Sequence, residues 1–311
     1  MNKCLYCYGE LTDEKDFHRK CSMAFFGTSK PPVIDYSDDK MHELVKILVD
    51  KSISVPGDQA KLVMSLIREI SEKSTTILSV NSASAGQYLF KSQNSHIQEL
   101  PENEHVSMRI AEAFGITVVP SSLIRLASGK LGFISKRIDR SESGEKTHMI
   151  DMLQITGVFE KYTSSMESVG KVINSHSSNT FLDKIFFLEL ALFSFIIGNN
   201  DMHLKNLSMI QSSSGWVLSP AYDLMNTTIL KPQDDKEFAL SLQGKRRKLK
   251  RSHFEHLGKV LGLNELQIQR VFKRLAKNRP KALHWLGQSF LSHKMQSAYK
   301  EVLEKRFQQL S

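Results

Sequence analysis

Cysteine is scarce in this chain, three residues in 311, and all three fall within the first 21 positions. An odd count, in what the sequence suggests is a reducing compartment, weighs against a disulfide framework, since any pairing leaves a thiol over. Long apolar runs are also missing. The strongest, Ile185 to Gly198, follows Asp183 and Lys184 and is interrupted by Glu189. It falls short of the about 18 to 20 apolar residues a bilayer-spanning helix needs, and it reads as a core helix. The opening residues, MNKCLYCYGELTDEKDF, lack the apolar core of a secretory leader. The expectation is a cytoplasmic protein with no membrane contact. No internal repeat or low-complexity tract is visible, which excludes solenoid architectures. Neither G-x-G-x-x-G nor G-x4-G-K-[ST] occurs, so the familiar glycine-rich phosphate loops are absent.

What is present is an ordinary globular composition. Hydrophobic residues make up 41% of the chain, ample for packed cores, and the length suits about two domains at roughly 150 residues each. Forty-two Lys and Arg against 33 Asp and Glu give a net charge of +9. Such a balance favours acidic partners: nucleotides, nucleic acid or an anionic protein surface. The densest basic run is GKRRKLKR, Gly244 to Arg251, which reads equally as a solvated turn or as a docking patch for RNA or an acidic partner. It contains no aromatic residue, which weighs against a binder that stacks single-stranded bases on rings.

Cys4, Cys7, His18 and Cys21 form the pattern C-x2-C-x10-H-x2-C. Two chelating pairs of this spacing suit a tetrahedral zinc ion. Small buried thiols under a loop, or redox chemistry, are alternatives the pattern leaves open. FFGTSKPPVIDYS then reads as an extended linker, since Pro31-Pro32 stops a helix. Asp39 to Lys51 carries helical apolar spacing, with Asp39 as its N-cap. KLVMSLIREI, TTILSV and GQYLFKS are short β-prone runs that suggest an antiparallel meander, although the first also admits a helix. ENEHVSMRIAEAFG predicts a helix with Gly115 at its C-terminal cap. ITVVPSSLIRLASGKLGFISKRI predicts a strand, a turn and a strand. Helices are expected at Ser165 to Val172 and Phe181 to Gly198. LSMIQ and GWVLSPAYDL follow as a hairpin turned at Ser212 to Gly215, and helical period runs from Ser252 to the end.

Directly after the apolar run stands NNDMHLKN, Asn199 to Asn206, on what should be a tight loop between a core helix and a strand. Asp201 and Asn206 form D-x4-N, and Asp223 comes seventeen positions later, after the return strand. Phosphoryl transfer asks for a carboxylate to orient the attacking hydroxyl and for oxygen ligands to hold magnesium on the phosphates. Carboxylate and amide oxygens are the hard donors magnesium prefers. Upstream, Lys91 ends a β-prone run where it would reach nucleotide phosphates, and Glu102 and Glu104 open the next helix and would pair with it. Each of these residues alone also suits an ordinary surface charge; their order along the chain is the stronger signal.

Taken together, SVPGDQAK (Ser54 to Lys61), LPENEHVSM, KRIDR, GNNDMHLKN and PAYDLM mark a family. From about Ser52 onward the chain resembles the HipA-like serine/threonine kinases, toxins of bacterial toxin-antitoxin systems. The resemblance implies an α+β, two-lobed, protein-kinase-like fold. Residues 1–38 would be a Cys/His segment and linker, 39–140 a β-rich ATP-binding lobe, and 141–311 a helical lobe with the catalytic and metal-binding loops. Asp201 corresponds to the catalytic base and Asn206 and Asp223 to the magnesium ligands. Lys91 would hold ATP phosphates, with Glu104 also counted among the ATP-binding residues. His203 would scaffold the loop, and Lys205 would neutralise charge on the transferred group or sit solvated. The loop residues Ser54, Gly57, Gln59 and Lys61 would contact ATP, with Ser52 or Ser54 autophosphorylated.

The chain has no room for the additional N-terminal subdomain of the long members, so it is similar to a short form. That implies a small partner protein resembling the missing subdomain and a DNA-binding antitoxin. The resemblance further implies an aminoacyl-tRNA synthetase as substrate; a separate expectation, resting on charge alone, is that the basic run touches tRNA. A small-molecule or lipid kinase, and a non-catalytic zinc-bearing nucleic-acid or scaffold protein, are the competing expectations.

Overall fold

Short runs rich in β-branched and aromatic residues build one five-stranded sheet. The computed structural model describes residues 2–12, 15–34, 36, 40, 43–44, 61–68, 76–80, 86–94, 97–141 and 144–311. Its strands are β1 (Leu62–Arg68), β2 (Thr76–Val80), β3 (Tyr88–Lys91), β4 (Ser121–Arg125) and β5 (Leu131–Lys136). Their order is β2-β1-β3-β5-β4, and every pairing is antiparallel. KLVMSLIREI is therefore a strand, and the expected meander holds in direction but not in order. β3 pairs with β1, Leu62 opposite Phe90, rather than with β2. The buried Leu62, Val63 and Met64 suit the sheet interior, whereas β2 buries only Leu78 and suits an edge. Gly132 leaves room for the Phe90 ring: a Cβ there would lie 2.3 Å from Phe90 Cε2.

Contacts divide the chain into two compact units, Met1–His105 with Val119–Lys146, and Val106–Val118 with Thr147–Ser311. In the first unit, α1 (Arg19–Phe26) ends on Phe25 and Phe26, read from the sequence as the start of a linker. Both rings are buried, 4.7 Å apart in an edge-to-face contact, and both meet Tyr88 of β3. Burying a phenylalanine contributes about 1.5 to 3 kcal/mol, which holds the segment down where proline alone would leave it extended. Val33 and Ile34 then bridge to Ile77 and Leu126. Of the helix predicted over Asp39 to Lys51, nearly all lies outside the described residues. α2 (Leu100–Ala113) follows β3, and Gly115 stops it at φ +80°; the division between units falls after its His105.

The second unit carries a three-stranded sheet, β6 (Met149–Asp151), β7 (Ser208–Ser212) and β8 (Gly215–Leu218), of which β7 and β8 are the expected hairpin. Its helices are α3 (Met152–Thr156), α4 (Met166–His176), α5 (Thr180–Ile196), α6 (Arg251–Val260), α7 (Glu265–Lys277), α8 (Arg279–Gln288) and α9 (His293–Gln309). α5 is apolar nearly all round because α4, α6, α7 and α9 surround it. Asp183 ties its first turn to the sheet, accepting from Ser177 Oγ at 2.6 Å and from the Leu218 N–H at 2.7 Å. Beside the core, Arg306 and Glu237 form a buried ion pair, and Glu237 also accepts from the Leu249 N–H at 2.6 Å. These features make α5 a rigid mount for whatever follows it.

Candidate functional site

α5 stops because the next backbone position needs a conformation that only glycine adopts without strain. Gly198 sits at φ +72°, and a Cβ there would lie 2.7 Å from Val302 Cγ1 and 2.8 Å from Thr228 Oγ1. Thr227 and Thr228 accept the chain as it leaves the helix. Their hydroxyls donate to the Gly198 carbonyl at 3.2 and 3.0 Å. The Asn200 N–H donates to Thr227 Oγ1 at 2.6 Å. Asn199 closes the turn from inside, its Oδ1 accepting from the Asp201 N–H at 3.2 Å. Asn199 and Asn200, without a role in the sequence reading, are thus the brackets of the loop.

Asp201 is half-buried, and its backbone carbonyl organises the residues after it. The carbonyl accepts from the His203 N–H at 2.8 Å and from Asn206 Nδ2 at 3.0 Å. Asn206 closes the single 3-10 turn Leu204–Asn206. Because a carbonyl can only accept, the Asn206 amide nitrogen faces Asp201, and its Oδ1 is the atom left to meet a cation. The Asp201 side chain is held by Tyr162, whose hydroxyl donates to Oδ1 at 2.6 Å. The Tyr162 ring stands edge-on to the buried His203 ring, 5.2 Å between centroids. The Leu204 N–H donates to the Lys161 carbonyl at 3.2 Å, so the segment before α4 is stitched to the loop at two points.

Asp223 follows β8, where the Ala221 N–H donates to the Thr117 carbonyl at 2.9 Å. Its backbone is left-handed, φ +58°, a conformation that aspartate tolerates better than branched residues and that costs of order 1 kcal/mol or more. The neighbouring Tyr222 hydroxyl donates to the Lys205 carbonyl at 3.0 Å and accepts from Ser208 Oγ at 2.6 Å. Burial pushes the Tyr222 phenol well above its ordinary range; the Ser208 bond offsets part of this, and the negative charges of Asp223 and Asp151 add to the rise. The phenol therefore stays protonated and keeps the Asp223 segment tied to the Asp201 loop. Amide and carboxylate oxygens at Asn206 and Asp223 fit a hard divalent cation such as magnesium.

The first unit carries the other expected pair. Lys91, the last residue of β3, is 4% exposed, and its Nζ lies 2.6 Å from Glu104 Oε1 and 5.4 Å from the Phe133 ring centroid. Glu102 does not join it. Its carboxylate accepts twice from Gln93 Nε2, at 2.9 Å each, and burial raises its pKa against that bond. Lys61 is half-buried at the entry to β1, while Ser52, Ser54, Gly57 and Gln59 lie outside the described residues. Lys205 is half-buried in the 3-10 turn.

The basic run is not a uniform charged face. Arg246 donates to the Tyr162 carbonyl, Arg247 pairs with Asp235, and Arg251 pairs with Glu255 at 2.8 Å while stacking over Phe272. Arg246 thereby braces the residue that holds Asp201. Tyr162 carried no sequence signal, and Tyr222 in PAYDLM and Arg246 in the basic run were not read for these roles, which arise from contacts 17 to 84 positions apart.

Solved structures share this architecture. The toxin HipA of Shewanella oneidensis, solved with HipB and operator DNA, aligns with TM-score 0.66 at 19% identity, over 87% of this chain and 70% of its own. The Helicobacter pylori proinflammatory kinase CtkA aligns with TM-score 0.55 at 14% identity, over 78% and 93%. The fold is thus kinase-like. Residues 53–283 match the HipA-like C-terminal domain, and the chain belongs to that family. A putative kinase of Haemophilus influenzae is 24% identical over 79% of this chain and 78% of its own length. The putative kinase Y4dM of Sinorhizobium fredii is 32% identical over 58% of this chain, which spans about half, 47%, of that relative.

Proposed function

We propose that the protein is an ATP- and magnesium-dependent protein serine/threonine kinase acting as the toxin of a toxin-antitoxin system. The observation that carries the reading is the closed D-x4-N turn, with the half-buried Asp201 carboxylate aimed by Tyr162 and the Asn206 oxygen left to face a cation. In this role Asp201 orients the acceptor hydroxyl and takes its proton as the phosphoryl group departs from ATP. Asn206 and Asp223 would hold magnesium, which supplies charge neutralisation on the nucleotide phosphates. Lys91, kept in place by Glu104, would bind those phosphates, and buried His203 would scaffold the loop.

Autophosphorylation at Ser52 or Ser54 would restrain the enzyme, since a phosphate adds about two negative charges where ATP's own phosphates must sit. The Shewanella HipA structure contains HipB and operator DNA, which supports a DNA-binding antitoxin as partner. A small protein resembling the subdomain of the long members is the second partner. The substrate proposed is an aminoacyl-tRNA synthetase, met in the cytoplasm. No described helix is long and apolar enough to cross a membrane.

The test is incubation of the protein, and of Asp201→Asn, with ATP, magnesium and a bacterial lysate, followed by mapping of new phosphoserine and phosphothreonine. The expected result is phosphate on Ser52 or Ser54 and on a synthetase, with transfer slowed about 10² to 10⁴-fold in the variant. Undiminished transfer by Asp201→Asn removes the base assignment. Phosphate found on lipids or small molecules and never on protein overturns the protein-kinase reading.

A further inference from the structure

Within the first unit, the two cysteine-rich turns converge on one point. The ligand atoms of Cys4, Cys7, His18 and Cys21 all lie within 4.8 Å of one another. Zinc bonded to sulfur at about 2.3 Å and to nitrogen at about 2.0 Å sets tetrahedral edges of roughly 3.5 to 3.8 Å. His18 Nδ1 stands 3.3 Å from Cys7 Sγ and 3.7 Å from Cys21 Sγ. The other ring nitrogen, Nε2, lies 2.9 Å from the Glu10 carbonyl. A carbonyl only accepts, so the proton sits on Nε2 and the Nδ1 lone pair is turned toward the thiols. That backbone partner is the kind of outer support that orients a metal-binding histidine.

The backbone is shaped to bring the four together. The Cys4 N–H donates to the Gly9 carbonyl at 2.8 Å and the Tyr8 N–H to the Cys4 carbonyl at 2.9 Å, which folds residues 4 to 9 into a knuckle. Tyr8 takes φ +61° to close it. Gly9 lets His18 approach; a Cβ there would lie 3.2 Å from the imidazole. His18 and Cys21 form the first turn of α1, and Cys4 and Cys21 are buried. Three soft thiolates and an imidazole with no open position describe a structural zinc site.

The knuckle is also tied to the residues that would bind nucleotide. Asp16 receives a double hydrogen bond from Arg125 of β4, Nε at 2.9 Å and Nη2 at 2.8 Å, and the Leu123 N–H donates to the Leu5 carbonyl at 3.3 Å. Tyr8, between Cys7 and Gly9, is 2% exposed, and its hydroxyl lies 2.9 Å from His105 Nδ1. Their rings meet edge-on at 5.3 Å. His105 directly follows Glu104, the partner of Lys91.

We infer that Cys4, Cys7, His18 and Cys21 bind one structural zinc ion, which acts through Tyr8 and His105 as a positioning device for the turn of α2 that sets Glu104 against Lys91. The positioning half rests on the nucleotide role proposed for Lys91; the metal half does not. The full chain, purified reduced and without chelators, is assayed by elemental analysis and expected to hold one zinc per chain. Exchange to cobalt should give thiolate charge-transfer bands and an intense tetrahedral visible spectrum, both lost in Cys7→Ser and His18→Ala. Reduced protein that carries no zinc and takes none up, or that carries iron instead, overturns the metal assignment. Tyr8→Phe should keep its zinc and cobalt spectrum yet bind ATP about two- to tenfold more weakly. It should also exchange the amides of α2 faster. Unchanged exchange at α2 overturns the positioning role. Faster exchange with no ATP binding by any form upholds the device and places the failure in the nucleotide reading.

Discussion

Replacing Glu104 by glutamine tests whether the Lys91–Glu104 pair is a working electrostatic element. The two side chains are 5% and 1% exposed and 2.6 Å apart. Glutamine keeps the volume but leaves the buried ammonium beside a neutral amide. Removing one member of a buried pair costs about 3 to 5 kcal/mol, because the remaining charge stays desolvated. Lys91→Met, which leaves the carboxylate buried without its counter-ion, is expected to cost about as much. Replacing both, Lys91→Met with Glu104→Leu, should recover most of the loss, as apolar replacement of buried pairs often is neutral or better. ATP binding, by contrast, should fail in all three. Urea unfolding with hydrogen exchange at β3 and α2 reads the stability, and calorimetric titration reads the nucleotide. A Glu104→Gln cost under about 0.5 kcal/mol, or a double variant no more stable than the weaker single one, would refute the reasoning.

Three further outcomes follow from the same structure. Gly198→Ala should destabilise by about 2 to 4 kcal/mol in urea unfolding, about 1 to 2 from left-handed backbone strain and the rest from overlap with Val302 and Thr228. Tyr162→Phe should lower the turnover rate by about tenfold or more in steady-state kinetics while leaving ATP affinity unchanged, since a hydrogen bond to a carboxylate contributes about 1.5 to 3 kcal/mol. Burial would raise Glu237 and Asp139, but hydrogen bonds and arginines beside each hold both below their ordinary values, about 4.3 and 3.9. A native pKa below the unfolded one gives stability that is complete above those values and lost as pH falls through the depressed ones. Unfolding free energy should therefore drop steeply below about pH 4, and Glu237→Gln should flatten that drop.

Much of the fold was legible in the residues. Short β-prone runs between polar segments marked the strands, helical spacing marked α2 and the helices after Ser252, a near-continuous apolar run marked α5, and Gly115 marked a helix end. The pairing order was not legible, because β1 reads like its neighbours until burial on both sides places it inside the sheet. Nor was the docking of Phe25 and Phe26, since local proline signals suggested a linker and only Tyr88 across the sheet supplies their partner.

The sequence by itself determined the chemical inventory: Asp201 and Asn206 in one loop, Asp223 after the return strand, Lys91 at a strand end, and a Cys/His quartet with chelate spacing. These are local patterns, and spacing along a chain constrains what a short turn can bring together. Only the tertiary structure decided that Glu104 rather than Glu102 meets Lys91, that Tyr162 aims Asp201 with Arg246 behind it, and that Tyr222 ties Asp223 to the Asp201 loop. Those choices depend on side chains that are distant in sequence and adjacent only once the cores have packed, where burial makes each hydrogen bond selective.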